Sequence, residues 1–361
     1  MNTPDTSVRD EPSLLAAARD GDQDAFRHLV EPHEARLRAH CYRMLGSMHD
    51  AEDAVQDTLV KGWRGLAAFD GRSAVGTWLY KIATTTCLNA IRSRSRRALP
   101  VEIGFPSEDP AAAAGTPLPE SVWVEPFPDA AFGTAVESPE AAYELRESVE
   151  LAAVAAWQHL PANQRAALLV TDVLGFPARD AAELLETSTA SLNSALQRAR
   201  ALVAQRVPDR SQQATMRQVG DATIDAAVER FLQAMDAADA DAVVGLLRED
   251  ATWSMPPQPA YFAGRRDIAE FLTVNPFRWF RWRHLRTIAN GQPAFGAYSW
   301  DDTAGCYLPH GINTLTFEGD QIVAVTTFLD VTRRGVTGPE YSNFAETRLF
   351  STFGLPETIA E

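Results

Sequence analysis

Eight prolines between residues 100 and 139 (Pro100, Pro106, Pro110, Pro117, Pro119, Pro126, Pro128 and Pro139) divide this 361-residue chain. Proline fixes φ and lacks a backbone N–H, so neither a helix nor a central strand continues through it. Residues 101–140 also hold the run AAAAG and eight acidic side chains with no basic one, the composition of a linker. Its segment Val122–Asp129 (VWVEPFPD) is too aromatic for pure linker and is expected to pack on a neighbour. At roughly 150 residues per domain, the length predicts two to three domains. A second, shorter boundary is expected near 208–220, which is polar and rich in glutamine.

The net charge of −15 argues against a free-standing nucleic-acid binder. Its distribution says more. Residues 1–100 carry 14 basic and 13 acidic side chains, residues 141–210 carry 7 and 8, and residues 211–361 carry 12 and 19. The acidity thus lies in the linker and the C-terminal third. No window approaches the ~20 apolar residues of a membrane span, and Met1–Glu11 lacks the basic start and apolar stretch of a signal peptide. Cys41, Cys87 and Cys306 are far apart without a CxxC, which excludes a disulfide framework and a cysteine-rich zinc site. The expectation is a cytoplasmic protein with no membrane contact, metal or cofactor.

Ser13–Asp20 and Asp24–Leu45 carry apolar residues at helical spacing, and Gly46–His49 reads as a turn after which Asp50 caps a further helix. Asp70-Gly71 marks a loop. Thr77 is read as the cap of the next helix, with Leu79, Ile82, Ala83, Thr86, Ala90 and Ile91 inward and Tyr80, Lys81, Thr84, Thr85, Leu88, Asn89 and Arg92 outward. Arg92, Arg94, Arg96 and Arg97 form a cluster suited to phosphates, although such runs are often solvated helix ends. After breaks at Leu160-Pro161 and Gly175–Pro177, Ala178–Glu186 and Ala190–Arg206 read as a helix-turn-helix with hydroxyl caps at Thr187–Thr189. The second helix buries Leu192, Leu196, Ala199 and Leu202/Val203. It exposes Ser191, Asn193, Ser194, Gln197, Arg198 and Arg200, the donor and acceptor types that read base edges and grip phosphates.

Asp50–Arg97 (DAEDAVQDTLVKGWRGLAAFDGRSAVGTWLYKIATTTCLNAIRSRSRR) resembles sigma region 2, and Leu160–Val203 (LPANQRAALLVTDVLGFPARDAAELLETSTASLNSALQRARALV) resembles sigma region 4. Together they make the first ~205 residues similar to an extracytoplasmic-function sigma factor of bacterial RNA polymerase. That resemblance implies that Asp53, Gln56 and Asp57 dock on core RNA polymerase. It implies that Phe69, Asp70, Gly71, Arg72, Ser73, Trp78, Lys81, Thr84, Thr85, Asn89 and Arg92 meet the melted minus-ten promoter DNA. Thr189, Ser191, Asn193, Ser194, Gln197, Arg198 and Arg200 would read the minus-thirty-five element. A sigma factor binds promoter DNA within a polymerase that brings its own basic channel, so it need not be basic. The acidic linker would lie near that channel, as a nucleic-acid mimic or, preferred here, as a disordered spacer.

Residues 221–350 pattern differently. Helices are expected at Ile224–Ala238, Ala240–Leu247 and Arg265–Val274. Strands are expected at Ala251–Met255, Arg281–Ala289, Pro293–Ser299, Ile312–Phe317 and Ile322–Phe328, the last three punctuated by Asn290-Gly291 and Glu318–Asp320 as an antiparallel meander. FLQAMDAADADAVVGLLREDATW and NGQPAFGAY resemble a SnoaL-like domain. The fold class is therefore multi-domain: a region 2 helical bundle (10–99), the acidic linker (100–140), a region 4 helix-turn-helix (141–207) and a C-terminal α+β cone (221–350). Relatives of the cone include enzymes with a general base in an apolar cavity. Asp250, His284, His310 and Asp330 are candidates, with Trp253, Tyr261, Trp279, Trp282 and Trp300 as walls. None has a spacing that demands chemistry, so no catalytic residue is assigned. Regulation of the sigma regions by intramolecular contact is preferred, with a small-molecule ligand left open. The competing readings are an enzyme acting on a small hydrophobic molecule and a dimeric repressor, and the latter leaves Asp50–Arg97 unexplained.

Overall fold

The computed structural model describes residues 10–92, 96–110, 116–119, 122–132, 145–207, 210–332 and 348–361. The chain begins with four helices, α1 (Glu11–Arg19), α2 (Gln23–Leu45), α3 (Met48–Gly65) and α4 (Val75–Ile91). The Asp22 carboxylate accepts the amides of Asp24 and Ala25 to start α2, and Gly46 ends it in the left-handed region at φ +70°. Two expected caps are corrected. Ser47, not Asp50, caps α3 by accepting the Asp50 amide, and α4 starts at Val75 with no side-chain cap from Thr77 or any other residue.

Asp50 turns inward instead and pairs with Arg97 at 3.0 Å. Arg97 also binds the Trp123 carbonyl at 2.8 Å and the Glu125 carboxylate at 3.2 Å. One of the four arginines read as a phosphate cluster is thus a buried tie between the helical bundle and the linker. Arg92 and Arg96 are exposed, and Arg94 lies outside the described residues. The linker is no free spacer where it is described. Trp123, Val124, Phe127 and Phe132 are buried, so the aromatic segment packs as its composition predicts.

Four further helices follow: α5 (Leu151–Gln158), α6 (Ala162–Leu168), α7 (Ala178–Leu184) and α8 (Thr189–Val203). They share one continuous apolar core with α1–α4 and the linker. Arg165 stitches the blocks together through the carbonyls of Met44, Gln158 and Leu160 and the Gln158 amide oxygen. Gln158 in turn donates to the Arg43 carbonyl at 3.1 Å. Both terminal nitrogens of Arg165 and the Gln158 amide thus find acceptors or donors, as burial demands, while Arg165 Nε has no hydrogen-bond partner among the described residues.

The expected boundary at 208–220 contains a helix, α9 (Gln212–Val219), followed by α10 (Asp221–Asp236), α11 (Ala240–Gly245) and α12 (Arg265–Val274). The strands are β1 (Phe105–Pro106), β2 (Leu247–Ser254), β3 (Ala260–Ala263), β4 (Trp282–Ala289), β5 (Gln292–Asp301), β6 (Cys306–Glu318) and β7 (Gln321–Leu329), in the sheet order β1-β3-β2-β7-β6-β5-β4. β4 to β7 form the expected antiparallel meander, and β2 joins β7 in parallel. Two strands escape the sequence reading: β3, and β1, which the linker adds to the sheet edge beside Ala260 and Tyr261. Ile224, Val228 and Phe231 of α10, Val243 of α11 and Ile268 and Phe271 of α12 cover one face of the sheet against Trp253, Phe295 and Leu315. Phe350, Phe353 and Leu355 pack on Tyr298 and Ile312 elsewhere.

The β4–β5 turn seats this sheet on the helices. Asn290 and Gly291 have φ of +56° and +67°, the pair of left-handed residues that a two-residue hairpin requires. Asn290 is fully buried. Its Nδ2 donates to the Tyr42 hydroxyl of α2 and to the Val149 carbonyl, both at 2.8 Å. Its Oδ1 accepts the Phe127 amide at 2.9 Å, and its own amide donates to the Phe127 carbonyl at 2.8 Å. The Gly291 amide donates to Asp129, and its carbonyl accepts from Gln213. Beside the tip, the Glu150 carboxylate accepts the amides of Gln212 and Gln213 at the start of α9. The Gln212 side chain exchanges two hydrogen bonds with the Phe317 backbone.

Burial holds two carboxyls of this seam high, Glu150 at about 7 and Asp129 at about 6. The fold therefore favours their neutral forms. Their stabilising contribution is complete below about pH 4 and is lost as pH rises through about 7. Glu150 alone corresponds to about 3 kcal/mol between those limits. The urea midpoint is expected to fall between pH 5 and pH 8, and Glu150→Gln should flatten that fall.

Candidate nucleic-acid interface

α3 and α4 form a groove of about 390 Å³ lined by Asp50, Asp53, Gln56, Asp57, Lys61, Thr86 and Asn89, among others. Asp53, Gln56 and Asp57 fall three and four residues apart on an exposed helix face. Lys61 sits 3.8 Å from Asp57 and donates to Thr86 at 3.0 Å. The three residues expected to dock on a protein thus line the same groove as Asn89, which is expected to meet DNA.

The loop after α3 is divided. Phe69 is buried and stacked on Trp78, with ring centroids 4.8 Å apart, so it shapes the loop from below and presents no free ring. Asp70, Gly71, Arg72 and Ser73 are exposed. The Arg72 amide and guanidinium both bind Asp70, and the amide holds the Asp70 carboxyl below its usual range. On α4, Lys81 is half-buried, Thr85, Asn89 and Arg92 are exposed, and Asn89 accepts from Arg92 at 3.2 Å.

Thr84 was expected on the outer face but is buried. Its hydroxyl donates to the Tyr80 carbonyl at 2.7 Å and meets Nε2 of His40 at 2.9 Å. Burial depresses His40 to about 3, so the ring is neutral and its tautomer is tied to that contact. The helical spacing misassigned Thr84 because α4 is covered on two sides: α2 and α3 pack against it, and so does α6.

In the second helical block, α8 presents Thr189, Ser191, Asn193, Ser194, Gln197, Arg198 and Arg200 as a continuous exposed side over its buried Leu192, Leu196 and Ala199. Ser188 caps the helix by accepting the Ser191 amide. A groove of about 520 Å³ runs between this face and the segment Thr171–Ala178. Arg200 is held across it by two hydrogen bonds to Asp172, at 2.7 and 2.8 Å. The expected contact residue is therefore already occupied, a pairing that the sequence did not signal.

The two exposed faces are also joined. Lys81 of α4 pairs with Glu186, in the turn before α8, at 3.3 Å. Tyr80 meets Phe176 edge-on at 6.0 Å.

The residues weighed as a general base do not converge. Asp250 is exposed and paired with Arg248. His310 is buried with Nδ1 3.2 Å from the Ser299 hydroxyl, and Asp330 is buried and accepts the Thr332 amide. His284 Nδ1 lies 2.7 Å from Asp236, while its Nε2 is buried with no hydrogen-bond partner among the described residues. Of the expected walls, Trp253 and Trp282 are buried and Tyr261 and Trp300 half-buried, but Trp279 stands in solvent.

Comparison with known proteins gives three family matches: Sigma-70 region 2 over residues 29–97, Sigma-70 region 4 over 151–203 and the SnoaL-like domain over 228–325. The ECF RNA polymerase sigma factor SigG of Mycobacterium tuberculosis is 37% identical over 357 residues, 98% of this chain and 90% of that protein. SigW of Bacillus subtilis, also an ECF RNA polymerase sigma factor, is 36% identical over 80 residues, 22% of this chain and 43% of that protein. The crystal structure of the M. tuberculosis extracytoplasmic-function sigma factor SigJ superposes with a TM-score of 0.49 at 23% identity, covering 82% of this chain and 93% of that one. Among the described residues no helix is long and apolar enough to cross a membrane.

The two neighbouring threonines of α4 should separate in experiment. Thr84→Val leaves His40 without its partner and is expected to lower stability by about 1–3 kcal/mol, read as a urea midpoint. Thr85→Val, on the exposed side, should leave the midpoint within about 0.5 kcal/mol.

Proposed function

The chain belongs to the extracytoplasmic-function sigma factors of RNA polymerase and directs transcription initiation, and we propose that its SnoaL-like domain modulates that activity in cis. The observation that carries this reading is Asn290, whose side chain bonds to α2, the linker and the start of the region 4 segment at once. The units that act are taken as 10–99 for region 2, 141–207 for region 4 and 221–350 for the SnoaL-like domain, with 100–140 between them.

Asp53, Gln56 and Asp57 dock on core polymerase through the exposed face of α3. Gly71, Arg72, Ser73, Lys81, Thr85, Asn89 and Arg92 meet the opened minus-ten element, with Phe69, Asp70 and Trp78 shaping the loop and Thr84 withdrawn from the contact set. The exposed side of α8 reads the minus-thirty-five element, Arg200 entering once it leaves Asp172. The elements' names place them about 25 base pairs apart, or ~85 Å at ~3.4 Å per pair. Regions joined through Lys81–Glu186 and Tyr80–Phe176 cannot span that distance. The arrangement is accordingly a closed state that opens on the polymerase. Tethering keeps the SnoaL-like domain at high effective concentration, so a few hydrogen bonds suffice to favour closure.

The chain acts in the cytoplasm and no reaction is assigned to it. A second reading, a small ligand held in the SnoaL-like domain, is favoured by one observation, the buried Nε2 of His284, which has no hydrogen-bond partner among the described residues. Run-off transcription from a promoter pool with core polymerase tests the proposal. Asn290→Ala and truncation after residue 210 should both change promoter-specific output, in the same direction and by severalfold, while His284→Ala should not. Equal output from all variants would remove the regulatory role, and a change confined to His284→Ala would favour the ligand.

A further inference from the structure

The SnoaL-like domain is acidic, with 12 basic against 19 acidic side chains in residues 211–361, yet four of those 12 fall within nine residues: Arg278, Arg281, Arg283 and Arg286. The same run, RWFRWRHLR, holds Trp279, Phe280 and Trp282. Alternation along β4 sorts it. Trp282 and His284 point inward, and Arg281 and Arg283 point outward. Trp282 pins the preceding turn by donating to the Pro276 carbonyl at 2.9 Å, and Phe280 rests on Trp282 and His310. Trp279, on that turn, is 68% exposed, the most of the large apolar side chains described.

The arginines are arranged around aromatic rings. Arg278 lies over Trp279 at 5.1 Å, Arg281 over Trp300 at 4.8 Å and Arg283 over Tyr307 at 5.4 Å. Arg281 also pairs with Glu361, and Arg286 with Asp225. No carboxylate among the described residues pairs with Arg278 or Arg283. Planar guanidinium forks held against rings, beside an indole left in solvent, match a strand that offers phosphates and unstacked bases. A duplex would offer only the phosphates, leaving the indole unused.

We propose that this end of β4 binds single-stranded nucleic acid, with Trp279 stacking on a base and Arg278, Arg281 and Arg283 holding adjacent phosphates. β4 starts at Trp282, eight residues from the docked Asn290 tip and about 26 Å away at ~3.3 Å per residue, and Arg278 and Trp279 precede that start. Trp279, Arg278, Arg281 and Arg283 are exposed while the tip is seated, so the surface stands independently of the regulatory role given to the tip. A melted DNA strand and a transcript share the chemistry.

Fluorescence anisotropy of labelled oligo(dT) and oligo(rU) with the intact protein tests the surface and, by which oligomer binds more tightly, its source. Binding should weaken with salt. Trp279→Ala should lower affinity fivefold or more, Trp279→Phe should retain most of it, and Arg278→Glu with Arg283→Glu should lower it further, all with unchanged melting temperatures. No binding by the unaltered protein at about 50 mM salt would overturn the proposal. So would unchanged affinity in the alanine and charge-reversal variants, or variants that keep the oligonucleotide and lose core polymerase.

Discussion

The Asn290 side chain bonds to groups that are 163, 141 and 248 residues away along the chain, at Phe127, Val149 and Tyr42. A primary amide has two N–H donors and an acceptor oxygen, and here both donors and the oxygen are engaged. Because the residue is buried, losing any one partner exposes a full desolvation cost rather than the small net value of a surface hydrogen bond. The tip is thus a cooperative contact. Region 2, the linker and region 4 must all be in place for the SnoaL-like domain to sit as it does.

Electrostatics fits the same picture. A chain of net charge −15 has little general attraction for a duplex, and its few cations on the exposed faces of the loop after α3, α4 and α8 are partly spent inside the molecule. Arg200 answers Asp172, Lys81 answers Glu186 and Arg72 answers Asp70. Those pairs are solvent-exposed, so each costs little to break. They lower the attraction of this arrangement for stray nucleic acid without locking the side chains away from a partner that presents phosphates at close range.

Much of this was legible in the sequence, for reasons that can be named. Helical periodicity located α2, α4 and α8 because each has a buried stripe, and Asn290-Gly291 announced a hairpin because few other pairs accept two left-handed residues. What failed was everything decided by a distant partner. Asp50 reads as a cap until Arg97, 47 residues away, is seen beside it. Thr84 reads as outward because periodicity counts one covered side of a helix, and α4 has two. The hydroxyl-rich face of α8 is readable because solvent covers most of it, except at Arg200, which Asp172 of a separate segment holds. The glutamine-rich 208–220 stretch reads as a boundary because polar composition does not distinguish a solvated segment from one whose amides are consumed by a neighbouring sheet. The arginine–tryptophan run is plain in the sequence, but its tryptophans read equally as cavity walls, and only exposure separates the two uses.

Gly291 sets how narrowly the turn is made. A Cβ there would come within 2.9 Å of the Arg146 carbonyl and 3.0 Å of the Gln213 amide, on a residue whose φ of +67° already disfavours a side chain. The fit leaves no slack for even one methyl group. Such an atom would act as a wedge, so the tolerance of a 361-residue assembly for sequence drift narrows, at this corner, to the width of a hydrogen.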